Sequence, residues 1–98
     1  MQTYVIRRPS FCADMAELEA CGRTSAEVGE QMSSRVRWIR SYVVEEPDGR
    51  LGTVCIYQAR DGESIREHAR RVGMPGEEFY PVASTVIVRP DPVEAVPA

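Results

Sequence analysis

Residues 36–59, VRWIRSYVVEEPDGRLGTVCIYQA, decide the fold. Val36 to Glu45 concentrates β-branched and aromatic side chains in Trp38, Ile39, Tyr42, Val43 and Val44, and Leu51 to Ala59 does the same with Val54, Cys55, Ile56 and Tyr57. Both runs therefore favour a pleated, half-buried strand. Pro47, Asp48 and Gly49 supply turn chemistry between them, so the stretch reads as a hairpin. Strict alternation puts Val36, Trp38, Arg40, Tyr42 and Val44 on one face and Arg37, Ile39, Ser41 and Val43 on the other. Apolar groups fall on both, which predicts that something covers each face of the sheet. Cys55 and Tyr57 share a face of the second strand, and Tyr42 lies on its neighbour, so pairing is expected to bring a thiol and two phenols near one another.

Upstream, Tyr4, Val5 and Ile6 form a short strand over residues 3–8, which Pro9 and Ser10 end. Asp14 and Glu17 have capping-box spacing. Met15, Leu18, Gly22, Ser25, Gly29 and Met32 then recur at steps of three and four, predicting a helix over 14–33 with Gly22 and Gly29 as close-approach points on its buried face. A break near Gly22 is the alternative. Downstream, Asp61 caps a second helix from Gly62 to Val72, terminated by Gly73 and Pro75. Its core stripe is Ile65, Ala69 and Val72, with His68 on or beside that face. Val82 to Val88 is the expected last strand, and residues 91–98 a flexible Pro-rich tail. The order strand, helix, strand, strand, helix, strand is that of an α+β, ferredoxin-like βαββαβ sandwich within residues 1–90, with two helices on one face of a four-stranded antiparallel sheet. The uncovered face then calls for a second subunit, giving a homodimer of the α/β-barrel type.

With 98 residues, 43% hydrophobic and 28% charged, the chain allows one packed domain. Twelve basic against 15 acidic residues give a net charge of −3. The arginines are dispersed, so neither nucleic acid nor an anionic membrane surface is an expected partner. Residues 1–8 lack the apolar run of a signal peptide, which reads as cytoplasmic. Cys12, Cys21 and Cys55 are odd in number and contain no CxxC pair, arguing for reduced thiols.

His68 is the single histidine. Its bland reading is a hydrogen-bonded structural residue, and its functional one a metal ligand or acid/base. Glu67 points about 100° away around the helix and reads first as a solvated carboxylate. Cys55, Tyr42 and Tyr57 read as core packing, or as the wall of a cavity able to hold a soft or borderline metal. No Gly-rich phosphate loop, Ser-His-Asp order or HExxH is present.

The segments Trp38-Ile39-Arg40-Ser41-Tyr42-Val43, Cys55-Ile56-Tyr57-Gln58-Ala59 and Ile65 through Pro75, with Tyr4 through Arg8, resemble the domain of unknown function 4242 family over about residues 3 to 88. That resemblance implies a dimeric ferredoxin-like domain related to a small nickel-binding, nickel-responsive protein. It implies His68, Glu67 and Cys55 as metal-site candidates, with Tyr42 and Tyr57 as further binding residues. The chain departs from the family at Arg40, where histidine is frequent, and a guanidinium cannot act as a ligand. The expected function is a divalent-metal protein, for nickel or another transition metal, in buffering or stress response. The alternatives are a cofactor-free small-molecule-binding protein or enzyme with a cavity between sheet and helices, and a non-catalytic accessory module.

Overall fold

The computed structural model describes residues 1–92. Six elements follow in the expected order: β1 (Gln2–Cys12), α1 (Met15–Gln31), β2 (Val36–Glu45), β3 (Leu51–Ala59), α2 (Gly62–Val72) and β4 (Phe79–Pro81). They form one antiparallel sheet in the order β2-β3-β1-β4, with the helices on one side. Ile6, Cys55, Tyr57, Ala59 and Val36 of the sheet pack against Val28 and Met32 at the end of α1 and Ile65 of α2.

Local chemistry accounts for the helix limits. The Asp14 carboxylate accepts from Glu17 N at 2.9 Å, and Glu17 Oε2 accepts from Ala13 N at 3.4 Å, so the capping pair satisfies two backbone donors at the start of α1. α1 runs unbroken through Gly22. The Asp61 carboxylate accepts from both the Ser64 amide (2.8 Å) and hydroxyl (2.7 Å) at the start of α2. At the other end, Gly73 takes the left-handed conformation (φ 84°).

Three expectations are corrected. β1 extends to Cys12 instead of ending at Arg8, because its pairing with β3 shifts between Arg8 and Cys12. Pro9 falls in that irregularity, where no ladder donor is required of it. In β2, Trp38 pairs with Tyr57 and Arg40 with Ile56, leaving Ile39 as an extra residue. This bulge shifts the alternation by one, so Trp38 and Ser41 both lie on the helix side, and Arg40 and Tyr42 on the outer side. The last strand is Phe79–Pro81, not Val82–Val88. Phe79 is held by an edge-on contact with Tyr4 (5.7 Å) and by Arg66, 5.0 Å above its ring. Val82 N then donates to Thr3 O, and β1 begins only one residue before Thr3, so 83–88 have almost no strand left to pair with. The segment instead lies along the outer face. There Asp91 accepts from Tyr42 Oη (2.6 Å) and Arg40 Nη1 (2.7 Å). Of the expected tail, 93–98 lie outside the described residues.

Candidate functional site

The stripe on α1 is buried only in its second half. Ser25 and Val28 are buried, whereas Met15 is 48% exposed. Under the first half, Leu18, Cys21 and Gly22 face the sheet across a cleft of about 390 Å³, with Ser25 at its inner end. Trp38, Ser41, Cys55 and Tyr57 form its floor, while Arg8, Phe11 and Met74 close it at the sides.

The β2 bulge builds the floor. Trp38 stacks on Tyr57 at 6.1 Å with the rings 7° from parallel. Its indole N–H donates to Ser41 Oγ (2.8 Å), and Ser41 in turn donates to Cys55 Sγ (3.0 Å). Arg8 Nη1 also donates to Cys55 Sγ (3.3 Å), and the thiol donates to Thr53 Oγ1 (3.3 Å). Beside Met74, Cys21 Sγ lies 3.8 Å from the thioether sulfur. Burial is the main cause that pushes the Cys21 thiol above its ordinary value.

At the inner end, Ser25 joins two elements. Its hydroxyl lies 3.2 Å from Tyr57 Oη, and its carbonyl accepts from His68 Nε2 at 3.1 Å. A carbonyl can only accept, so Nε2 carries the proton and Nδ1 is a bare acceptor, buried without a partner. The His68 ring meets Tyr57 edge-on at 5.5 Å. Burial pushes the Tyr57 phenol up to about 12, against the opposing pull of Ser25 and Arg8, so it is a neutral hydrogen-bonding group at physiological pH. Burial also lowers the His68 pKa, the Ser25 bond opposing and Arg8 adding to the effect.

That depression has a testable sign. The unfolded chain takes up a proton at His68 near pH ~6.5, whereas the folded chain does so only at lower pH. Across that window the unfolded state binds more protons, so the stability due to neutral His68 is present above it and is lost as pH falls. Melting temperature should drop below pH ~6.5, and His68→Gln should reduce that slope. An unchanged slope would show that His68 is not the titrating group.

The five site residues expected from sequence separate into three places. Cys55 and Tyr57 share the cleft floor, with His68 behind Tyr57. Tyr42, by contrast, is 45% exposed on the outer face, bound to Asp91, because the bulge reversed its direction. Glu67 accepts from both guanidinium nitrogens of Arg35 (2.9 and 2.6 Å) and from Arg71. Arg35 is the main cause that holds its carboxyl below the usual range. Among the described residues, no three of His, Cys, Asp and Glu come together around one point. His68, Glu67 and Cys55 thus do not fit a metal within one chain. Arg8 was missed by the sequence reading, yet Tyr4, Ile6 and Arg8 alternate onto one strand face, and Ile6 is fully buried. That parity was the available signal.

A four-stranded antiparallel sheet with two helices on one side and a cleft between them defines a small α+β sandwich with a partly enclosed site. The chain belongs to the SCO4226-like nickel responsive protein family, whose profile matches residues 4–82. Its fold is similar to that in the crystal structure of SCO4226 from Streptomyces coelicolor A3(2), with a TM-score of 0.68 at 12% identity over 86% of this chain and 99% of that one. No curated protein sequence matches the chain. No helix among the described residues is long and apolar enough to cross a membrane.

Proposed function

We propose that the protein is a small-molecule-binding member of the nickel responsive family whose site is the cleft between α1 and the sheet. The cleft itself carries this reading. It combines aromatic and apolar walls (Phe11, Leu18, Trp38, Met74) with a few polar groups (Arg8, Ser25, Ser41, Cys55), the composition expected of a ligand pocket. The Cβ of a residue replacing Gly22 would lie 3.9 Å from Trp38, so leucine there projects into the cleft. Binding of the neutral fluorophore N-phenyl-1-naphthylamine or of 1-naphthoate, one per chain and lost in Gly22→Leu, is the expected result. No binding of either, or binding unaltered in Gly22→Leu, contradicts the reading.

Nickel held by the protein is the second reading. The family description favours it, and so do the Cys21 thiol and Met74 thioether at 3.8 Å in the same cleft as Cys55, a soft donor group. The Arg8 guanidinium on the cleft wall opposes it, since it repels a cation. On this reading, calorimetric titration of metal-free protein with Ni²⁺ gives saturable binding that Cys21→Ser weakens and His68→Gln leaves alone. A tenfold loss in His68→Gln would restore His68 as a ligand.

A homodimer suits both readings. Val86, Ile87 and Val88 are 86%, 72% and 82% exposed, and Ile39 on the same outer side is 44% exposed. A second copy would cover this apolar surface. Light scattering should give twice 11.0 kDa, and Ile87→Asp should shift it toward one chain; a single-chain mass for the parent protein contradicts dimerisation. Three free cysteines suit a reducing, cytoplasmic setting.

A further inference from the structure

Arg8 lies on the helix-facing side of β1 and is 1% exposed, the largest fully buried side chain among the described residues. Its Nε donates to Pro75 O (2.6 Å) and Nη1 to Cys55 Sγ (3.3 Å), while Nη2 is buried with no acceptor. The described ion pairs engage Arg7, Arg35, Arg40, Arg60, Arg66, Arg70 and Arg71, and none engages Arg8. A guanidinium is always charged, and taking it out of water without a counter-ion is strongly unfavourable. Its face is partly compensated by the Tyr57 ring, 5.9 Å away. Nothing comparable meets Nη2.

Arg8 is also one of the residues that line the cleft. We propose that the cleft takes a small organic anion, a carboxylate on an aromatic or branched apolar body, with Arg8 as its counter-charge. This rests on the reading of the cleft as the binding site and adds the chemical class of the ligand. The carboxylate accepts from Arg8, the planar fork that suits such a group. The apolar body occupies the space between Leu18, Trp38 and Met74. A neutral ligand would leave the Arg8 charge uncompensated, so selection for anions follows from the cost of burying that charge.

Calorimetry with matched probes tests this: benzoate against benzamide, and 1-naphthoate against 1-naphthamide, on the full chain. Each carboxylate should bind at least tenfold more tightly than its amide. Arg8→Gln should abolish the difference, and Arg8→Lys should retain part of it. Equal affinity for acid and amide, or discrimination that survives Arg8→Gln, overturns the anion assignment but leaves the cleft as a binding site. Failure of both acids and both amides overturns the assignment and the cleft reading together. If Arg8→Gln does not fold, the acid-to-amide ratio in the wild type and in Arg8→Lys decides alone.

Discussion

Ile65→Ala is expected to destabilise the protein by about 2–5 kcal/mol. Ile65 is 1% exposed and is the residue by which α2 enters the core formed with Ile6, Tyr57 and Ala59 of the sheet, Val28 of α1 and Met32 just beyond its end. Alanine leaves a cavity lined from several elements at once, which a sheet and two helices cannot close without moving together. For a domain near this size each kcal/mol lowers the melting temperature by roughly 4–8 °C, so a drop of ~10 °C or more should appear in thermal denaturation. A change below ~3 °C would mean that α2 is not anchored there. The neighbouring His68 and Ala69 ride on the same helix, so this variant should also weaken the His68–Ser25 bond that ties α2 to α1.

Gly52→Val should be comparably damaging for a different reason. A Cβ at position 52 would stand 2.8 Å from Arg8 O and 2.9 Å from Ser10 N, both backbone atoms. Neither can rotate away as a side chain would, so β1 and β3 must separate where their register shifts. Overpacking of this kind costs about 1–3 kcal/mol or more. The strand that moves carries Arg8, and cleft binding should therefore fall together with stability. Gly22→Ala provides the contrast. Its Cβ would meet Trp38 at an ordinary 3.9 Å, and alanine is favoured over glycine in a helix by roughly 1 kcal/mol, so a small gain in stability is expected. Urea denaturation should rank Gly22→Ala at or above wild type and Gly52→Val well below it. The reverse order would contradict the geometry around β1.

The order of elements was legible because period and punctuation agree: Asp14 and Asp61 do cap the helices, and the Pro47-Asp48-Gly49 turn does join two paired strands. Cys55 and Tyr57 were correctly expected to share a face. Strict alternation failed at Ile39, because the bulge arises from pairing with β3 and leaves no mark within VRWIRSY itself. That single residue sent Tyr42 to the outer side and placed Trp38 and Ser41 in the cleft. The end of the chain failed for another physical reason. Val82 to Val88 has strand composition, but pairing depends on what β1 has left to offer, and Phe79 to Pro81 already pair with Tyr4 to Ile6. Glu67 was read as solvated or metal-ligating, whereas its true partner, Arg35, lies 32 positions away in sequence. Arg8 is the instructive case, since a charge at an inward-facing position of a strand marks either an error of register or a site.

On the proposed function, ligands enter between α1 and the sheet. Mapping backbone amide and Trp38 indole shifts by NMR during a titration with 1-naphthoate tests it most directly. Saturable shifts grouped at Arg8, Leu18, Cys21, Gly22, Ser25, Trp38, Ser41 and Cys55, all cleft-lining residues, are the expected result. Shifts grouped instead at Thr3, Tyr42, Ile56 and Val86 on the outer side, or no saturable shifts at all, would contradict this reading.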